Sequence, residues 1–295
     1  MTTFKTLLQR EWMQHHRAWL TVMFIQPLVI LAMFVFTEKS HILPHEPLLL
    51  PLAVGTIVGT TALVFFVTWM VTLIQATGLA RRDHQDRSIE FWLSLPVSNT
   101  TSVGATLLMH VLLVPLMALG IGYVSGLMLS LVGVALKLGA SSVMEVPWAT
   151  VLLGSLATLV RVAFGTLLAV LWALPLLLMM MAASAWLKRW GVPVLIAALV
   201  AGHVALSQIY GVTLISDTAV ELFNNFMLSF IHAAPFGAKG RNLVELFANG
   251  MPFTTRWLVE DAMASVAELA SPLFLFAMIT SAGCFGLLVL RRSRA

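Results

Sequence analysis

The chain has 295 residues, of which 59% are hydrophobic and only 10% are charged. Soluble domains average about 25% charged residues, so a chain this apolar cannot cover a water-exposed surface, and the soluble globular class is excluded. The net charge of +4 comes from basic residues scattered between apolar runs, which favours membrane topology over nucleic-acid binding. The single cysteine, Cys284, excludes a disulfide framework within one chain. The composition therefore predicts an all-α polytopic membrane protein.

Six apolar segments are long enough to cross a bilayer, which takes roughly 20 helical residues. They cover about 18–37, 52–79, 102–133, 155–186, 192–213 and 269–290. No small-x-small cleavage site follows the first segment, so we expect it to be a retained span. Pro27, Pro115 and Pro175 lie inside segments, where each should kink its helix. The pairs Gly55/Gly59 and Gly122/Gly126 permit close helix approach and could mark a dimer seam. The sequence predicts one transmembrane domain over residues 1–295.

The distribution of Lys and Arg predicts the orientation, because these residues concentrate in cytoplasmic loops. With the N-terminus inside, eleven basic residues are cytoplasmic and five lie on the opposite side. The eleven are Lys5, Arg10, Arg17, Arg81, Arg82, Arg87, Lys188, Arg189, Arg291, Arg292 and Arg294; the five are Lys39, Lys137, Lys239, Arg241 and Arg256. Both termini are therefore predicted to be cytoplasmic. Arg161 falls near the outer end of the fourth span, where snorkelling to water would explain it.

Residues 214–268, between the fifth and sixth predicted spans, form a segment too long for a plain connection. Apolar residues recur there at helical spacing: Val220, Phe223, Phe226, Met227, Phe230 and Ile231. This pattern predicts an amphipathic helix at the outer interface. A turn from Pro235 to Gly240 and further short helices should follow it.

Residues 1–17 carry an apolar stripe of Phe4, Leu7, Leu8 and Trp12, while polar residues face elsewhere. The stripe predicts an amphipathic interfacial helix on the cytoplasmic face. A simple topology anchor would also explain it.

Residues 81–97 form the predicted cytoplasmic loop after the second span. Asp86 can cap a short helix, on which Ile89, Trp92 and Leu93 share one face, and Pro96 ends it. Exposed aromatic residues beside charges suit docking to a cytoplasmic protein. An ordinary charged connector is the alternative interpretation.

At this loop the sequence resembles the ATP-binding-cassette (ABC) type-2 permease family of bacterial exporters. The resemblance rests on Asp86-Arg87-Ser88-Ile89-x-Phe91-Trp92-x-Ser94-Leu95-Pro96-Val97-Ser98 and on Leu8-x-Arg10-Glu11-Trp12-x-x-His15-x-Arg17. It implies that the loop is a coupling helix seated on a cytoplasmic ATPase subunit, which the N-terminal helix also contacts. It further implies six spans, outer helices before the last span, pairing with a second permease copy and location in the bacterial cytoplasmic membrane.

The resemblance assigns two sets of contact residues. Docking to the ATPase falls to Arg87, Ser88, Ile89, Glu90, Phe91, Trp92, Leu95 and Pro96. The interfacial connecting helix uses Phe4, Leu8, Arg10, Glu11, Trp12 and Arg17. The sequence has no Gly-x-x-x-x-Gly-Lys-Ser/Thr loop, so we expect ATP and Mg²⁺ to bind the partner ATPase, with no cofactor and no enzyme activity in this chain.

Few other residues are candidates for chemistry. His110 and His203 lie inside the third and fifth spans, where a cavity role competes with simple packing. His41, His45 and Glu46 could bind a metal, but Pro44 prevents the helix that would align them, and we expect no metal site. We expect lipids as partners and no nucleic acid. An ion-coupled secondary transporter and a membrane scaffold or assembly subunit stay as alternatives.

Overall fold

The computed structural model describes residues 2–37, 46–82, 98–232 and 255–293. These ranges contain helices and short connections, without a strand. The helices are α1 Thr2–Phe36, α2 Glu46–Arg82, α3 Asn99–Leu107, α4 Val114–Leu138, α5 Ser142–Glu145, α6 Trp148–Leu187, α7 Gly191–Tyr210, α8 Leu214–Leu228, α9 Thr255–Ala267 and α10 Pro272–Ser293. A π-turn, Leu108–Leu113, joins α3 to α4, and 3₁₀ turns at Lys188–Trp190 and Glu268–Ala270 follow α6 and α9. The all-α prediction is confirmed for this part of the chain.

Five helical stretches of the described residues are long and apolar enough to cross a membrane. They are Phe4–Phe36, Leu49–Leu79, Asn99–Leu138, Trp148–Tyr210 and Pro272–Ser293. The chain is thus a multi-pass helical membrane protein. The sequence predicted six spans, and the difference lies in Trp148–Tyr210, a stretch of 63 residues that the sequence divides into a fourth and a fifth span.

This long stretch bends between α6 and α7. Lys188 has φ +55° and ψ −130°, a conformation that L-residues rarely adopt. Gly191 then packs directly on the backbone of Ala183 and Ser184, where the Cβ of any other residue would overlap it. Because the chain reverses here, α7 lies beside α6.

The helices α2 and α4 form the largest interface within the described ranges. Gly122 and Gly126 allow this approach, because a Cβ on Gly126 would lie only 2.9 Å from the carbonyl oxygen of Ile57. Ser130 Oγ also donates a hydrogen bond of 3.0 Å to the carbonyl of Ala53. Gly122 and Gly126 therefore serve packing within the chain. A Cβ on Gly55 or Gly59 would meet nothing within 4 Å.

The π-turn between α3 and α4 has a local cause in Pro115. Proline has no amide hydrogen and its ring clashes with the carbonyl four residues earlier, which belongs to Val111 inside the π-turn. The wider turn accommodates the proline without breaking the span. Pro115 was predicted to kink this helix, and the π-turn is the form that the distortion takes. It also leaves His110 in the core with no exposed surface.

Helix α1 is continuous from Thr2 to Phe36. The predicted interfacial helix over residues 1–17 and the first predicted span are therefore parts of one helix. Its 35 residues would measure about 52 Å if straight, longer than the roughly 30 Å hydrocarbon core. Leu7 is buried, and Leu8 and Trp12 pack beside Trp19, whereas Phe4 is exposed. The apolar stripe thus packs partly on the protein itself.

The end of α8 and the two residues after it pack against α2 through aromatic side chains. Phe226 and Phe230 contact Trp69, with ring centroids 5.3 Å and 5.7 Å away, and Phe230 also meets Phe65 at 5.8 Å. Val220 and Phe223 on α8 are each 58% exposed. The predicted amphipathic helix exists as α8, and its last turn is anchored in the core.

Candidate functional site

A buried polar cluster joins the N-terminal part of α1 to α3 and the π-turn. We call it the Glu11 cluster and define it as Glu11, His15, Thr106 and His110. Glu11 and His15 are one helical turn apart on α1, and Trp19 follows at the same interval, so all three share one face. Glu11 is 3% exposed and Trp19 is fully buried. The opposite face, with Gln14 and Arg17, is exposed.

Thr106 and His110 face α1 from across the interface, again one turn apart. The Thr106 hydroxyl donates to Glu11 Oε1 at 3.1 Å. His110 Nδ1 lies 3.0 Å from the carbonyl oxygen of Thr106, so the tautomer that makes this bond carries its proton on Nδ1. The Thr106 hydroxyl also bonds to the carbonyl of Ser102 in its own helix, at 3.2 Å. Because Glu11 and His110 are both buried, this threonine positions the carboxylate and the imidazole together.

Charge in the cluster is balanced at its edge. Arg10 Nη2 lies 2.5 Å from Glu11 Oε1, and the Arg10 side chain is 18% exposed against 4% for Glu11. A buried carboxylate without a cation would be costly to desolvate. Arg10 therefore neutralises Glu11 from a position that keeps some contact with solvent.

Aromatic rings close the cluster and connect it to α2. The Trp19 ring meets His110 edge-on at 5.1 Å, and His15 meets His110 at 5.4 Å. Trp19 Nε1 donates to Gln75 Oε1 on α2 at 3.1 Å. Three helices, α1, α2 and α3, are thus bonded together through polar side chains at one place.

The donor atoms of Glu11, His15 and His110 form a group that could hold a metal ion. One carboxylate oxygen and one nitrogen from each imidazole all lie within 4.8 Å of one another. Two nitrogens and one carboxylate oxygen are a ligand set that proteins use for Zn²⁺ and related ions.

A second buried polar network, which we call the Arg161 network, lies between α6, the end of α8 and α9. Arg161 Nη2 lies 2.6 Å from Asp261 Oδ2, with side-chain exposures of 2% and 0%. The guanidinium also donates to the Ser229 carbonyl at 2.9 Å and to Ser265 Oγ at 2.6 Å. The backbone amide of His232 donates to Asp261 Oδ2 at 3.2 Å. These bonds fasten the end of α8 and the middle of α9 to α6. The snorkelling interpretation of Arg161 is wrong, since its side chain is enclosed by protein.

Gly165, one turn after Arg161 on α6, permits this arrangement. A Cβ added to Gly165 would overlap the carbonyl oxygen of Ser229 and the Cα of Phe230. No side chain larger than hydrogen leaves room for the end of α8 there. The end of α8 therefore packs on Gly165 and accepts a hydrogen bond from the neighbouring Arg161.

The predicted contact residues have different outcomes. The predicted docking residues Arg87–Pro96 lie outside the described residues, as do the side chains of His41, His45 and Glu46. In the predicted connecting helix, Glu11 is buried, Leu8, Arg10 and Trp12 are partly buried, and Phe4 and Arg17 are exposed. His110 belongs to the Glu11 cluster, whereas His203 is a partly buried residue of α7 outside it.

Sequence reasoning did not identify the Glu11 cluster or the partner of Arg161. The Glu11-x-x-x-His15 spacing was a usable signal, because it puts both side chains on one helical face. The signal was missed because both residues were predicted to lie in an interfacial helix outside the spans, where burial is not expected. Asp261 offered no such signal, since it lies 100 residues from Arg161.

Comparisons with protein families, with curated proteins and with solved structures give no match to this chain.

Proposed function

We propose that the chain is the membrane-spanning permease subunit of an ABC exporter in the bacterial cytoplasmic membrane, driven by a separate ATPase subunit. Two stretches of resemblance to the type-2 permeases support this, one over Asp86–Ser98 and one over Leu8–Arg17. The multi-pass helical fold supports it too.

One relationship in the fold carries the proposal. The predicted docking loop connects α2, which ends at Arg82, to α3, which begins at Asn99. Both helices are hydrogen-bonded to α1, through Trp19–Gln75 and through Glu11–Thr106. A displacement of the loop would therefore move three helices together. Such linked helices are the element that an ATPase would need to push during alternating access.

The proposed topology has six crossings with both termini in the cytoplasm. In this topology α6 and α7 cross separately, and the turn between them carries Lys188 and Arg189 on the cytoplasmic side, as the positive-inside rule favours. The outer side then holds α8 and α9, fastened to α6 by the Arg161 network.

The proposed assembly contains two permease copies and two ATPase subunits. ATP and Mg²⁺ bind the ATPase subunits, whose closure pushes the docking loops. Phe91, Trp92 and Leu95 act as apolar anchors, while Arg87 and Glu90 fix the register by charge.

A second candidate, an ion-coupled secondary transporter, is favoured by one observation. Glu11 places a buried carboxylate beside two histidines, and such transporters bind coupling ions through polar groups inside the bundle. This candidate predicts that the chain functions without an ATPase partner. Recovery of an ATPase with the tagged chain thus separates the two.

The proposal is tested by replacing a docking anchor. Trp92→Ala should weaken assembly with the ATPase by about 2 kcal/mol, roughly thirtyfold in affinity, measured by co-purification from native membranes. Trp190→Ala is the matched control, because Trp190 is 60% exposed at the turn on the same proposed side. Normal ATPase recovery with Trp92→Ala would remove the loop from the docking interface.

A further inference from the structure

We propose that Glu11, His15 and His110 form a binding site for a divalent transition-metal ion, of which Zn²⁺ is the representative. This inference is independent of the permease proposal, because it rests on the geometry of the Glu11 cluster alone.

The donors come from two helices that already face each other. Glu11 and His15 are one turn apart on α1, and His110 is presented by the π-turn between α3 and α4. The donor atoms lie within 4.8 Å of one another, while bonds of about 2.05 Å to a tetrahedral Zn²⁺ place ligands roughly 3.3 Å apart. His15 is only partly buried, so its ring has room to rotate inward. A side-chain adjustment would bring the donors to bonding distance of one ion.

The surroundings orient two of the ligands. Metal-bound histidines usually donate their other ring N–H to a carbonyl or carboxylate. His110 has this bond, from Nδ1 to the Thr106 carbonyl, which directs Nε2 to the metal. On Glu11, the bonds from Thr106 and Arg10 both fall on Oε1, so Oε2 is the oxygen for coordination. Three protein ligands leave a fourth position for water.

Replacing Arg10 tests whether Zn²⁺ affinity depends on the positive charge beside Glu11. Its guanidinium lies beside Glu11, and a cation there repels a bound divalent ion. Arg10→Gln should therefore bind Zn²⁺ more tightly than the original chain, by a severalfold decrease in Kd. If the cluster were only an ion pair, the same change would destabilise the protein and leave Zn²⁺ binding unaltered.

The test uses the full chain purified in lipid nanodiscs and freed of metal with chelator. Isothermal titration should give one equivalent of Zn²⁺ per chain, and Co²⁺ should give the d–d absorption of a nitrogen–oxygen site. Zinc should also raise the unfolding temperature, because it binds the folded state.

Variants locate the site. His15→Ala and His110→Gln should each weaken Zn²⁺ binding by more than the roughly 10- to 100-fold that loss of an outer partner costs. His16→Ala is the matched control, because His16 is the next residue on α1 and bonds only to the carbonyls of Trp12 and Met13. Its affinity should stay unchanged. If His110→Gln does not purify as a single species, the Zn²⁺ affinity of His15→Ala tests the site, because His15 is only partly buried.

The results that overturn the inference are equally definite. One is the absence of saturable Zn²⁺ binding at one equivalent. The other is binding with the same Kd and the same Co²⁺ spectrum in His15→Ala, which would place the ion elsewhere on the chain.

Discussion

Arg161 on α6 and Asp261 on α9 form an ion pair of 2.6 Å from which solvent is excluded, although 100 residues separate them in the sequence. Taking two charges out of water is costly, and the pair is retained only because its remaining hydrogen-bonding groups are satisfied. Ser229, Ser265 and the amide of His232 satisfy them. The end of α8 and helix α9 are therefore held to α6 by this polar network, beside the aromatic contacts of Phe226 and Phe230.

Removing one charge of this ion pair should weaken the packing of α8 and α9 on α6. Asp261→Asn leaves the Arg161 charge buried without its partner, which costs about 3–5 kcal/mol. The measurement is thermal unfolding of the purified chain. Glu221→Gln, an exposed carboxylate on α8, should change stability by less than about 0.5 kcal/mol.

The double variant Arg161→Met/Asp261→Leu should recover part of this loss, since replacing both charges by apolar side chains is often nearly neutral. A double variant less stable than Asp261→Asn would show that the ion pair itself contributes net stability.

Gly165 should tolerate no side chain. Gly165→Ala places a Cβ into the backbone of Ser229 and Phe230, and overpacking of this kind costs about 1–3 kcal/mol. Gly59→Ala is the control on α2, because its Cβ would meet no atom within 4 Å and alanine favours the helix. Equal unfolding temperatures for the two variants would contradict the docking of α8 on this glycine.

Thr106 should stabilise the protein through its bond across helices. Thr106→Val keeps the shape but removes the donor to Glu11, leaving a buried carboxylate with one partner fewer, at about 1–3 kcal/mol. Thr166→Val is the matched control, because Thr166 is also buried and its hydroxyl bonds only to the carbonyl of Val162 one turn earlier in its own helix, as the Thr106 hydroxyl also bonds to Ser102. The difference between the two variants measures the interhelical bond.

The sequence predicted the helices well and their contacts poorly. Apolar runs of some 20 residues must be helical in lipid because no other backbone partner exists there. The predicted spans accordingly fall within helices, the third of them along α3, the π-turn and α4. Residues 37, 211–213 and 271 are the exceptions, and 269–270 lie in the 3₁₀ turn before α10. Pro115 alone did not predict that the distortion would be a π-turn. The burial of Arg161 could not be predicted either, because it depends on Asp261, which no local sequence pattern connects to Arg161.

The Glu11 cluster illustrates the same limit. The apolar stripe predicted an α1 that lies on a lipid surface, and the stripe is compatible with that surface and with a protein surface alike. The stripe packs on protein because Thr106 and His110 present polar groups opposite Glu11. Side-chain pairing between distant helices decides such cases, and one sequence does not reveal it.

The proposed six-crossing topology predicts opposite accessibility for the two ends of α7. The sequence has one cysteine, so a Cys284→Ser background allows single-cysteine labelling. Arg189→Cys should react with a membrane-impermeant maleimide only in inverted vesicles. Val212→Cys should react with it only in cells whose outer envelope is permeabilised and whose cytoplasmic membrane is intact. Labelling of both positions from the same side would reduce the crossings to five.

We propose that the chain is a permease subunit that works with a separate ATPase, and purification of the tagged chain from native membranes is the decisive test. We expect an ATPase subunit with a phosphate-binding loop to be recovered in equal amount. The complex should hydrolyse ATP, and Trp92→Ala should reduce this activity in step with the recovered subunit. A chain that purifies to homogeneity with no ATPase and no ATP hydrolysis, under conditions that retain other membrane complexes, would show that the proposal is wrong.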